Sequence, residues 1–178
     1  MKVLIHICCA PCLIYPLEVL RLKGFESYGL FFNPNIHPFT EYNERKKAIT
    51  ELNSGIEVIY PDYLPQEFFR GINFKEDTPL RCTICWGLRL KKTARIAKER
   101  GFKYFTTTLL VSPYQNHEVL RKLGDEAARE EGVEFYYADF RPGFKKAHEE
   151  AKRKGIYAQK YCGCIYSEME RYSKKYNA

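Results

Sequence analysis

Lys2-Val3-Leu4-Ile5-His6-Ile7-Cys8-Cys9-Ala10-Pro11-Cys12 is the stretch that decides the fold. The apolar run from Lys2 to Ile7 reads as a buried strand, and it passes directly into a cysteine-rich turn. A helix is expected next, from about Leu13 to Lys23, stopped at Gly24. Pro16 is tolerated there only in the first turn, because proline has no N–H and its ring clashes with the preceding turn. The same order then recurs along the chain. A strand is predicted near Tyr28 to Phe32, a loop from Asn33-Pro34-Asn35 to Pro38, a helix from about Phe39 to Leu52, and a strand near Ile56 to Tyr60 after Gly55. That is a βαβαβ unit.

Beyond an aromatic-rich loop containing Gly71, Thr78-Pro79-Leu80-Arg81 introduces Cys82. Ile84, Leu88, Ala94 and Ala97 mark the apolar face of a helix ending at Gly101. A fourth strand is expected at about Tyr104 to Thr107, a helix with Val119, Leu120, Leu123 and Ala127 on its buried face and Gly132 at its end, and a fifth strand from Glu134 to Ala138. A basic helix near Phe144 to Lys154 and a last helix from about Ile165 complete the chain. Alternating strands and helices predict an α/β fold: a parallel sheet of about five strands, with helices flanking it.

The 178 residues suit one domain, 1–178, with a core large enough to need no disulfides. The composition, 45% apolar and 29% charged, is that of an ordinary soluble protein, and no apolar run approaches the ~20 residues of a membrane span. Met1 to Ile7 lacks a small-residue cleavage site, so a cytoplasmic protein is expected. Lys and Arg outnumber Asp and Glu by 29 to 22, a net +7 compatible with a polyanionic partner. Such binding would weaken steeply with salt.

Seven cysteines are unusual in that compartment, and an odd number cannot all pair. They fall in three groups: Cys8, Cys9 and Cys12; Cys82 and Cys85; Cys162 and Cys164. Ligands of open parallel sheets bind at the carboxyl ends of the strands, and the groups map there. Cys8, Cys9 and Cys12 follow the first strand, while Cys82 and Cys85 open a helix whose N-terminal amides favour thiolates and anionic clusters. On spacing alone, structural zinc and an iron–sulfur cluster are equally compatible with two adjacent cysteines plus a CxxC pair. The three extra thiols tilt the reading toward redox chemistry, because a closed zinc site needs none. Cys162 and Cys164 are too close for a relaxed disulfide; a strained, easily reduced one or a second metal site are the alternatives.

Several motifs together resemble the QueH-type epoxyqueuosine reductases: Cys8-Cys9-Ala10-Pro11-Cys12, Cys82-Thr83-Ile84-Cys85-Trp86, Thr107-Thr108-Leu109 with Ser112-Pro113, Asp139-Phe140-Arg141 and Tyr161-Cys162-Gly163-Cys164. The likeness spans nearly the whole chain. It implies a single-domain Rossmann-like fold akin to PP-loop proteins, with a metal cluster at the carboxyl ends of the strands. It also implies two-electron removal of the epoxide oxygen of epoxyqueuosine at the wobble position of tRNA, giving queuosine, with electrons from a donor the sequence does not name. The implied ligands of a 4Fe-4S cluster are Cys8, Cys9, Cys82 and Cys85. Cys162 and Cys164 are implied as a redox-active pair or, with Cys12, as holders of an additional iron. Family members often carry Tyr-Arg-Gln before the last motif, whereas this chain has Tyr157-Ala158-Gln159, which puts any role of that arginine in doubt.

In such a reaction iron would draw on the epoxide oxygen as a Lewis acid, and an acid must protonate the leaving oxygen. Asp139, expected at the carboxyl end of strand five, is a candidate for that acid, with loop capping as its plain alternative. His6 reads as a core residue, and His37 and His117 as surface or capping residues. For tRNA, the expected surface joins Arg89, Lys91, Lys92 and Arg95 with Lys145, Lys146, Lys152, Arg153 and Lys154, and Tyr157, Tyr161 and Tyr166 are candidates for base stacking. Two rival functions remain at this stage. An ATP-dependent tRNA-modifying enzyme of the PP-loop type shares the layout, but Pro11 and the thiols of the first loop are poor phosphate ligands. A zinc-binding RNA-recognition module is the other.

Overall fold

The computed structural model describes residues 1–176, with side chains through residue 173. Five parallel strands, β1 (Lys2–His6), β2 (Glu26–Leu30), β3 (Val58–Ile59), β4 (Tyr104–Thr107) and β5 (Glu134–Phe135), lie in the order β3-β2-β1-β4-β5. The helices are α1 (Ala10–Leu22), α2 (Phe39–Glu51), α3 (Pro65–Ile72), α4 (Leu80–Glu99), α5 (His117–Glu131), α6 (Phe144–Arg153) and α7 (Ile165–Tyr176). The α/β class and the five-stranded parallel sheet are as expected.

Alternation along β1 divides the core. Leu4 joins Leu90, Ala94, Ala97, Phe105 and Leu120 on the face covered by α4 and α5. Val3 and Ile5 join Leu13, Leu17, Leu20, Ile49 and Ala151 on the face covered by α1, α2 and α6. Successive strand residues point to opposite faces, so a central strand must be apolar throughout when helices cover both sides. Val3, Leu4, Ile5 and Ile7 are completely buried, and each such side chain contributes roughly 1.5–3 kcal/mol of burial free energy.

The departures from expectation have local causes. α1 starts at Ala10, three residues before the expected Leu13, with Cys9 as its extended N-cap and Pro11 in its first turn. Pro16 therefore lies inside the helix and not in its first turn. Lacking an N–H, it leaves the Cys12 carbonyl without its i+4 donor. β2 ends at Leu30, not Phe32, because pairing is set by β1, from Lys2 opposite Glu26 to His6 opposite Leu30. Phe31 and Phe32 stay buried beyond the strand's end. The aromatic loop before Cys82 contains α3, whose buried Phe68 and Ile72 are four apart, with Gly71 and the half-exposed Phe69 between them obscuring the period. Gly132 caps α5 at φ +73°, and its N–H donates to Ala128 O, so the expected stop is a left-handed cap.

Candidate metal centre

The strand order reverses at β1, which pairs with β2 on one side and β4 on the other. Loops leaving the carboxyl ends of such strands open a crevice, and here they are the Cys8–Cys9 turn and the 3-10 turn of Thr108–Val111. Thr108 joins them: its hydroxyl accepts from Cys8 N at 3.0 Å and donates to Cys8 Sγ at 3.2 Å. Beneath, buried His6 contacts Thr107 Oγ1 through Nδ1 at 2.9 Å, and Phe32 O and Asn33 Oδ1 through Nε2 at 3.2 Å. It is a core histidine, as expected.

The Sγ atoms of Cys8, Cys9 and Cys12 all lie within 4.8 Å of one another, a group able to hold a metal ion. Cys8 and Cys9 sulfurs are 3.8 Å apart. Hydrogen bonds from Cys12 and Cys9 hold the Cys8 thiol well below its ordinary pKa. The bond to Cys8 pushes Cys12 up, and burial pushes Cys9 up. Metal binding at this group would expel the thiol protons, as thiolate ligation requires.

Cys82 and Cys85 sit in the first two turns of α4. Burial raises both, Cys85 to about 12, and the Arg89 guanidinium opposes the shift at Cys85. Cys85 packs with Cys164, Phe68 and Ile72 in one small cluster. Cys162 and Cys164 lie in a loop held from α2. Buried Arg45 donates from Nη1 to Cys162 O and from Nη2 to Tyr161 O, both at 3.0 Å, and from Nε to Glu41 at 2.7 Å. Gly163 between the cysteines has φ +149°. A Cβ there would stand 3.1 Å from Asn35 Nδ2 and 3.2 Å from Ile36 Cγ1, so the tight loop requires glycine.

These elements surround a cavity of about 530 Å³, and Cys8, Cys12 and Cys162 line it together with Arg45, Arg89, Thr108, His148 and Gln159. Cys162 feels the charge of Cys8, and Cys82 and Cys85 feel those of Cys162 and Cys164, so the three sequence groups meet in one neighbourhood. Cys82 and Cys85 nevertheless stand outside the tight Cys8–Cys9–Cys12 group.

Arg89 belongs here and not on an RNA-binding surface. It is 2% exposed, donates from Nε to Cys85 O at 3.1 Å, and its buried Nη2 has no protein partner. An unpaired buried guanidinium nitrogen is costly, and an anionic guest would satisfy it. Charges expected on that surface are largely paired: Lys91 with Glu130, Arg95 with Glu131, Lys146 with Glu18 and Lys154 with Glu150. The three tyrosines hold the framework. Tyr157 donates to Glu41, Tyr161 to His37 O, and Tyr166 lies under the Arg81 guanidinium.

Asp139 is not among the residues lining the cavity. It caps its own loop, accepting from Arg141 N at 3.0 Å and from Arg141 Nε and Nη2 at 2.8 and 2.6 Å, and the guanidinium holds its carboxyl down at about 2. A group so ionised is a poor proton source near neutral pH. Two residues of the site went unread in the sequence. Arg45 resembles half of an ordinary i,i+4 surface pair with Glu41, and His148 on α6 carries no local pattern of its own. Gln159, quoted above only for the arginine missing beside it, donates to Cys9 Sγ at 3.1 Å.

A family model described as "Epoxyqueuosine reductase QueH" matches residues 3–170. A Dehalococcoides mccartyi protein named epoxyqueuosine reductase QueH is 39% identical over 176 residues, covering 97% of this chain and 96% of its own length. A Thermotoga maritima protein of the same name is 35% identical, with 97% and 93% covered. One from Streptococcus pyogenes is 34% identical, with 93% of this chain and 70% of the longer relative covered.

Proposed function

The chain belongs to the epoxyqueuosine reductase QueH family, and we propose that it removes the epoxide oxygen of epoxyqueuosine in tRNA, giving queuosine. The observation that carries the reading is the meeting of thiols with an unsatisfied cation. Cys8, Cys9 and Cys12 lie within mutual ligand distance, Cys8 and Cys12 line a cavity, and Arg89, whose buried Nη2 has no protein partner, lines it too. Thiolates around iron are net negative, and a buried guanidinium and the N-termini of α1 and α4 fit that charge. Pro11, which lacks an N–H, and the thiols make this turn a poor cradle for ATP phosphates.

Cys8, Cys9, Cys82 and Cys85 would hold a 4Fe-4S cluster. Cys162 and Cys164 would serve as a redox pair or, with Cys12, hold a further iron. When bound, the cluster supplies electrons one at a time from an external reductant. The protein's own contribution is otherwise binding and orientation. Thr108 and Gln159 fix the Cys8 and Cys9 sulfurs, and Arg45 fixes the Cys162 loop. The cavity is wide enough for a base turned out of the anticodon loop, within the ~300–1,000 Å³ of small-molecule sites. Residues 1–178 are read as one reductase domain around this site. Among the described residues no helix is long and apolar enough to cross a membrane.

The test is to incubate anaerobically reconstituted protein and a strong reductant with tRNA carrying epoxyqueuosine, then read its nucleosides by mass spectrometry. Loss of one oxygen in the wild type and not in Cys9→Ala supports the reading. An intact epoxide beside demonstrably iron-loaded protein contradicts it.

A further inference from the structure

Opening an epoxide to an alkene breaks two C–O bonds and forms one C=C bond. The oxygen leaves as water, which takes two electrons and two protons. The electrons come from a low-potential one-electron carrier, the reductant of the activity. The protons need a donor inside the cavity, and most groups there are unsuited. Asp139 lies outside and stays ionised. Arg45 and Arg89 donate hydrogen bonds but do not release protons in proteins. His6 is sealed behind its bonds to Thr107, Phe32 and Asn33. Tyr114 is 83% exposed at the rim.

His148 differs from all of these. It lies on α6, which packs on α1 and carries the fully buried Ala151 in the cluster of Leu13, Leu17 and Leu20, so its position relative to Cys8 and Cys12 is set by the core. Its ring lies against Phe144, centroids 4.4 Å apart, which limits rotation. It lines the same cavity as Cys8 and Cys12. Its Nε2 is buried and has no hydrogen-bond partner in the protein. An unpartnered buried ring nitrogen on a residue that lines the cavity calls for a partner that the protein itself does not supply.

We infer that His148 is a catalytic residue, donating a hydrogen bond from Nε2 to the epoxide oxygen and passing it one of the two protons as it leaves; the second proton comes from solvent through the open mouth of the cavity. This inference rests on the proposed reductase reading. It predicts that His148→Gln, which retains a donor but cannot pass on a proton in the same way, lowers the single-turnover rate by about 10²-fold or more. It also predicts that imidazole added to His148→Ala restores part of the rate, because the vacated space opens on the cavity.

The readout independent of turnover is tRNA binding. Wild type should prefer tRNA bearing the epoxide over tRNA bearing the product, and His148→Ala should lose that preference while binding product tRNA as wild type does. Iron content and melting temperature are measured on each variant. Variants that retain iron and turn over at the wild-type rate overturn the inference. So do variants that both lose their iron, since His148 would then build the site instead of serving the substrate. A wild type that leaves the epoxide intact removes both the inference and the reading beneath it.

Discussion

The Cys8–Cys12 turn and the Cys162–Cys164 loop bring thiols to one cavity by opposite means. The turn hangs from the most buried strand of the sheet and runs straight into α1, so its cysteines are placed by core packing; Cys9 and Cys12 are 1% and 4% exposed. The loop has no regular structure of its own. It is held by Arg45 reaching across from α2, by His37 N donating to Gly163 O at 2.8 Å, and by Gly163 N donating to Ser167 Oγ at 3.2 Å. Cys162 is exposed while Cys164 is buried. The difference teaches that one end of the site is rigid by construction and the other is hinged on a few polar contacts. A packed group of thiols beside an exposed sulfur fits the proposed site, in which a metal would be held and tRNA admitted.

Breaking the loop's anchor should give the largest effect. Arg45→Met leaves Glu41 buried without its cation and frees the carbonyls of Tyr161 and Cys162. Removing one partner of a buried pair costs about 3–5 kcal/mol, so urea unfolding should shift by that amount and turnover should be lost. If stability falls but turnover survives, the loop is not hinged on Arg45.

The turn should be harder to disturb. Thr108→Val removes both bonds to Cys8, leaving its amide without that acceptor. The expected cost is about 1–3 kcal/mol, read by thermal melting, with iron content reduced and not abolished, because the sheet still places the sulfurs. Complete loss of iron would mean that the turn is as dependent on polar contacts as the loop.

Gly163→Ala sharpens the contrast from the other side. The positive φ and the close approach to Asn35 and Ile36 should cost about 1 kcal/mol and displace Cys162 and Cys164. Turnover should fall well beyond what so small a stability loss explains, while iron held at the turn is retained.

Asp139 lies at neither end, and Asp139→Asn should have the smallest effect. Its carboxyl is held down at about 2 from an ordinary 3.8, so the unfolded chain binds the proton first as pH falls. The stabilisation is present above about pH 4 and lost as pH drops toward 2. Because Asp139 and Arg141 are nearly half exposed, the pair is worth below about 1 kcal/mol. Acid titration of stability should flatten slightly in the variant, and turnover at neutral pH should match wild type; a large loss would restore Asp139 as the proton donor.

The turn was legible in the sequence because its cause is local: an apolar strand, a cysteine run and a helix follow one another within 22 residues. β4, predicted as Tyr104 to Thr107, has those bounds in the structure for the same reason. α1's true start was obscured by Pro16, whose usual place in a first turn pointed to a later beginning. The loop's support was not legible, because Arg45 lies 116 and 117 residues from the carbonyls it holds and forms an ordinary helical pair with Glu41. Arg89 shows the same limit in reverse. A basic helix reads as a solvated face, and only packing reveals that one of its charges turns inward toward Cys85. His148 is invisible to pattern because its role depends on a helix docking across α1.

The most direct test of the two-ended site is to measure iron, sulfide and the electron paramagnetic resonance of reduced wild type, Cys9→Ala and Cys162→Ala, prepared anaerobically side by side. Cys9→Ala should lose iron and sulfide, whereas Cys162→Ala should retain a cluster with an altered signal and not deoxygenate epoxyqueuosine in tRNA. A Cys162→Ala protein with the wild-type signal and the wild-type rate would contradict this, leaving the loop with no part in the chemistry of the turn.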